Sequence, residues 1–140
     1  SNRYKYINPT KLNPMGVFAE GSVNIYFSKK EDADKVHEML KKSEAEVEQE
    51  FIKRLGEEKG KGYYNFYDFN DNGSQSVDFM LSSGRIQNAE WQVDQIIKVL
   101  KHMVKSKEIE GVEELSCSMM MEADGRYVDA DEFAEGGEDE

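Results

Sequence analysis

The dipeptide Asn72-Gly73 narrows the fold more than any other feature of this chain. Both residues tolerate positive φ, so together they favour the tight turn of a β-hairpin. The segments on either side read as strands. Tyr63 to Phe69 is strongly aromatic, which suits a pleated surface. Ser76 to Ser82 places Val77, Phe79 and Leu81 at alternate positions. A hairpin in mid-chain rules out an all-parallel sheet.

The flanking segments extend the pattern. Val17 to Phe27 alternates through Val23, Ile25 and Phe27, with Gly21 marking a bulge or a tight turn. Ser28-Lys29-Lys30-Glu31 has the form of a capping box. Val36, Met39, Leu40, Val47, Phe51 and Leu55 follow at helical spacing, which predicts a long helix over roughly residues 30–55, with a bend near Ser43–Glu46. A second helix, capped by Asn88, carries a continuous stripe from Ala89 through Val93, Ile96, Ile97, Leu100 and Met103 to Val104. Leu115, Cys117, Met119 and Met121 alternate as a further strand. Asp124-Gly125 then offers a turn into a short return strand at Arg126–Val128.

The expected class is therefore α+β: a mostly antiparallel sheet of four to five strands with two helices on one face. The element order is the β-α-β-β-α-β of ferredoxin-like folds, with a short extra C-terminal strand. Residues 1–16 carry Asn8-Pro9 and Asn13-Pro14 and read as an irregular arm, residues 17–128 as one α+β domain, and residues 129–140 as an acidic tail.

Charge sharpens this division. The net charge of −11 splits into −3 over residues 1–121 and −8 over residues 122–140. A near-neutral body with an anionic end disfavours direct binding to nucleic acid or anionic lipid, which need excess positive charge. No apolar run approaches the roughly 18 residues needed to cross a bilayer. The opening residues lack the apolar segment of a secretory leader, and a single cysteine with seven methionines suits a reducing cytoplasm.

The inventory for catalysis is sparse, so an enzyme is not expected. His37 and His102 join no recognisable motif, and Cys117 alternates with core residues as a buried, inert thiol would. There is neither a Gly-x-Ser-x-Gly nor a phosphate-cradling glycine loop, and no cofactor is implied. Asp68, Asn70 and Asn72 occupy positions 1, 3 and 5 of a calcium loop with Gly73 at position 6, but Phe79 stands where the bidentate Glu belongs. They are weak candidate ligands in an alternative reading as a ligand- or calcium-binding regulatory domain.

The first reading is a small, acidic, non-enzymatic interaction domain in the cytoplasm. In its most concrete form it is an inhibitor, immunity-type or nucleic-acid-mimicking protein acting on a basic protein partner. Its expected contact residues are Tyr64 and Phe66 on an open sheet face (Tyr63, Tyr67 and Phe69 if the opposite set faces outward) and Trp91 off the apolar stripe of its helix. Glu44 and Glu48, with Asp129, Asp131 and Glu132 in the tail, supply the negative charge. Lys98, Lys101 and Lys105 form a ridge opposed in sign to the acids of the first helix, so two copies could pair head to tail, or the ridge could receive the chain's own tail.

Overall fold

In the computed structural model, which describes residues 19–70, 74–119 and 125–134, strand β1 (Ala19–Phe27) lies at the centre of the sheet. Its odd-numbered residues are all buried and its even-numbered ones are half-buried or exposed. This is the period-2 pattern of a strand covered on one side only. It pairs antiparallel with β3 (Ser76–Ser83) and with β4 (Val112–Met119). β2 (Phe66–Asn70) pairs with β3, and β5 (Arg126–Asp129) with β4, giving the order β2-β3-β1-β4-β5. The class is α+β with a five-stranded antiparallel sheet. With β5 outside β4, the order departs from a simple ferredoxin-like layout.

Five helices occur among the described residues. The long helix expected over 30–55 is two helices, α1 (Lys30–Leu40) and α2 (Glu44–Leu55), divided at Lys41–Ser43. The division lies where the apolar stripe thins, and a capping box restarts the helix. Ser43 accepts from the Glu46 N–H, and the Glu46 side chain accepts from the Ser43 N–H. The box expected at Ser28 is absent: α1 has Lys29 as its N-cap with no side-chain cap, and Ser28 donates instead to Glu113. Asp32, buried in the first turn of α1, accepts from the N–H groups of Glu110 and Gly111 and so ties α1 to the approach to β4.

α3 (Glu57–Gly60) fills what reads in sequence as a polar loop. A Cβ on Gly60 would lie 2.5 Å from the backbone of Ile52, so only glycine lets α3 press this closely on α2. Gly21 is likewise a packing residue, neither bulge nor turn. It is in register with Leu81 and Met119, and Met119 and Cys117 occupy the space above it. α4 (Ile86–Lys105) is the longest helix, beginning two residues before the expected cap Asn88, and it packs its stripe on β1, β3 and β4.

The end of the described chain belongs to the body. α5 (Ala130–Ala134) packs on α4 and β4 with Phe133 at 0% exposure. Lys101, itself largely buried, pairs with Glu132 at 2.9 Å. The expected acidic tail therefore begins as a docked helix, and Lys101 leaves the exposed basic ridge to receive it. The arm expected at 1–16, the turn Asn72-Gly73 and residues 135–140 lie outside the described residues. No helix among the described residues is long and apolar enough to cross a membrane.

Because Phe133 is fully enclosed, Phe133→Ala is expected to cost about 3–5 kcal/mol of folding stability in a urea titration. Ser43→Ala, which removes an exposed cap, should cost about 1 kcal/mol. Equal, small effects would mean that α5 does not contribute to the core.

Candidate interaction surfaces

The sheet buries one face, so the side chains of the other are free to meet a partner. Register and burial place Glu20, Ser22, Asn24 and Tyr26 of β1 on this open face. Beside them stand Tyr67 of β2 and Ser76, Asp78 and Met80 of β3. Glu114, Ser116 and Ser118 of β4 complete it with Tyr127 and Asp129 of β5. Among the described residues this face carries carboxylates and no lysine or arginine. Its tyrosines are held by its acids: Tyr67 donates to Glu20 at 2.5 Å and Tyr127 to Glu114 at 3.0 Å. Both phenols are pushed above their ordinary range, Tyr127 chiefly by the hydrogen bond to Glu114, and Tyr67 chiefly by burial and then by the hydrogen bond to Glu20. Asn24 donates to Asp78 across the strand pair.

Of the two aromatic sets expected here, Tyr64 and Phe66 are turned inward, and of the alternative set Tyr67 lies on this face. Tyr64 precedes β2, is only 1% exposed, packs on Phe51 and donates to the Gly60 carbonyl at 2.7 Å. Phe66 turns inward and meets Phe79 edge-on, with ring centroids 5.2 Å apart. Neither is displayed to a partner. The cause is local. Asp68 takes a left-handed conformation (φ 56°), and the β2–β3 register shifts between Tyr67 and Asn70. This bulge resets the alternation, so Phe66 and Phe69 both reach Phe79 and only Tyr67 points outward.

Three of the other expected contact residues converge elsewhere. Trp91, 39% exposed, lines a cleft of about 360 Å³ with Gly62, Tyr63, Gln87 and Asn88. Glu48 of α2 accepts from the Gly62 N–H at 3.0 Å, and Glu44 lies beside Tyr63, where its charge raises the Tyr63 hydroxyl above its usual range. Trp91, Glu44 and Glu48 thus belong to one patch, completed by Tyr63. Of the C-terminal acids, Asp129 accepts from the Glu132 N–H, Glu132 is paired with Lys101, and Asp131 is exposed.

The other candidate chemistry is dispersed. Asp68 and Asn70 are exposed at the end of β2, and Asn72 lies outside the described residues. No cluster of three His, Cys, Asp or Glu suited to a metal occurs among the described residues. A larger groove of about 660 Å³ runs between α1 and the end of α4. In it Lys29 pairs with Glu110 at 3.3 Å, and Lys35 donates to the Glu108 carbonyl at 2.7 Å. His37 is half-buried against the edge of Phe69. Cys117 is buried, with its sulfur 3.5 Å from that of Met119, and burial pushes its thiol up to about 11. Neither a protein family, nor a curated protein, nor a solved structure matches the chain.

The raised thiol gives a direct test. At pH 8 the folded protein should react with a soluble disulfide reagent far more slowly than the urea-unfolded chain, because only the thiolate attacks. As pH rises from about 9 to 11 the unfolded chain ionises this thiol first, so stability should fall. Cys117→Ala should remove that part of the slope. Fast native reaction at pH 8 would place Cys117 at the surface.

Proposed function

We propose that this protein is a small, acidic, non-enzymatic interaction domain that engages a basic protein partner in the cytoplasm, in the manner of an inhibitor that occupies a cationic site on its target. The observation that carries this reading is the open sheet face, where Glu20, Asp78, Glu114 and Asp129 stand among tyrosines and small hydroxyl residues with no cation of the described chain beside them. Tyrosines are favoured at interfaces because a rigid ring contributes large contact area at low entropic cost. Complementary charge accelerates encounter and rejects wrong partners. Carboxylates on a rigid sheet are also the groups by which a protein imitates a phosphate backbone. The net charge of −11 supports the same direction. In fold terms, we infer an elaborated ferredoxin-like plan, since β2-β3-β1-β4 follows the order of that plan and β5 is appended.

The test compares the intact chain with a variant carrying Glu20→Gln, Asp78→Asn, Glu114→Gln and Asp129→Asn. Each change keeps a hydrogen-bonding oxygen and removes a charge. At roughly 0.3–0.5 kcal/mol per exposed pair, the variant should bind its captured partner about tenfold more weakly in moderate salt. The partner should present a basic surface, and binding to the intact chain should weaken steeply as salt rises. Equal affinity of both proteins for the partner would remove the sheet face from the interaction.

A further inference from the structure

We propose that the cleft between Trp91 and Tyr63 is a receptor for a single cationic side chain, the guanidinium of an arginine presented by a partner protein. The argument starts with how the indole is held. Gly62 leaves room for it: a Cβ there would lie 2.8 Å from Trp91 Nε1 and 3.1 Å from the Tyr64 hydroxyl oxygen. The polar edge of Trp91 is therefore turned inward, against buried Tyr64, and its exposed part is ring surface. Tyr63, 53% exposed, also lines the cleft. Exposed aromatic rings attract a cation through their quadrupoles, and arginine is the cation that most often takes such a site.

Charge decides between a cation and other occupants. Glu44 stands beside Tyr63, and Glu48 holds the Gly62 N–H, so two carboxylates meet lining residues from the α2 side without lining the cleft themselves. No lysine or arginine lines it. Gln87 and Asn88 belong to the first turn of α4, where the helix dipole favours an anion by about half a charge. Against it, Glu44 and Glu48 act directly on the lining residues Tyr63 and Gly62. Lys61 precedes Gly62 and Arg85 is the α4 N-cap, and like the two carboxylates neither lines the cleft. The volume of about 360 Å³ suits one long side chain rather than a folded element. This inference concerns a different surface from the sheet face and does not rest on it.

Trp91 is the only tryptophan in the chain, so its fluorescence and its single indole N–H resonance report on this cleft alone. The probes are an acetylated, amidated Gly-Arg-Gly tripeptide, its citrulline counterpart (the same shape without charge), a Gly-Glu-Gly control and a Pro-rich peptide. The arginine tripeptide should shift both Trp91 signals saturably. Citrulline should bind about threefold more weakly, and Glu44→Gln should weaken the arginine peptide by about the same factor. Glu44 is exposed on the first turn of α2, and the variant's circular dichroism shows whether the helix persists. Three results would overturn the proposal: no shift with arginine up to about 10 mM, equal binding of citrulline, or tighter binding of the Glu or Pro-rich peptide. Because the readout is local to Trp91 and the probe is a tripeptide, loss of partner binding through the sheet face leaves this outcome unaffected.

Discussion

Everything else in this fold depends on the one-sided burial of β1. Ala19, Gly21, Val23, Ile25 and Phe27 form a continuous apolar row beneath the helices, and β1 is paired on both edges. A slip of one residue would drive Glu20, Asn24 and Tyr26 into the core and Val23 and Ile25 into water, so the register is strongly specified. The neighbours inherit it. Val77, Phe79 and Leu81 of β3 and Leu115 and Cys117 of β4 must line up on the same side, and α4 lies across them. Burying large apolar side chains at roughly 1.5–3 kcal/mol each stabilises this face without metal or disulfide.

The same constraint creates the other face. Once the apolar residues have gone to the helices, what remains is short hydroxyls, amides, carboxylates and tyrosines. The acids there are partly held by local donors, Asn24 for Asp78 and the phenols of Tyr67 and Tyr127 for Glu20 and Glu114. Such pairing fixes the orientation of the carboxylates while leaving their charge uncompensated. The proposed docking of a cationic partner rests on this arrangement. Several positive side chains are paired elsewhere: Arg54 with Glu50 and Glu108, Arg126 with Asp94, Lys101 with Glu132.

Much of this was legible in sequence wherever periodicity ran without interruption. α4, β3 and β1 follow from their apolar spacing, and the antiparallel β2–β3 pair follows from Asn72-Gly73. The errors have local causes. The bulge at Asp68 is a single-residue conformation, and it turns Phe69 to the core beside Phe66. Asp tolerates positive φ, but nothing in the flanking residues distinguishes a bulge from a regular strand here. Gly60 and Gly62 read as loop glycines, yet each permits a close approach, of α3 to α2 and of Trp91 to Tyr64. Phe133 sits among acids, so charge composition concealed one buried ring that docks a five-residue helix. The patch of Trp91, Glu44 and Glu48 illustrates the converse: each was singled out for its own chemistry, and only the tertiary fold brings them together.

The central claim is that the sheet has one covered face and one open one, and tyrosine reactivity tests it directly. Nitration at mildly alkaline pH, mapped by mass spectrometry, should modify Tyr26 and Tyr127, which are 43% and 65% exposed, long before Tyr64, at 1%. Tyr64 nitrated as fast as Tyr127, or Tyr26 and Tyr127 protected as well as Tyr64, would contradict the account.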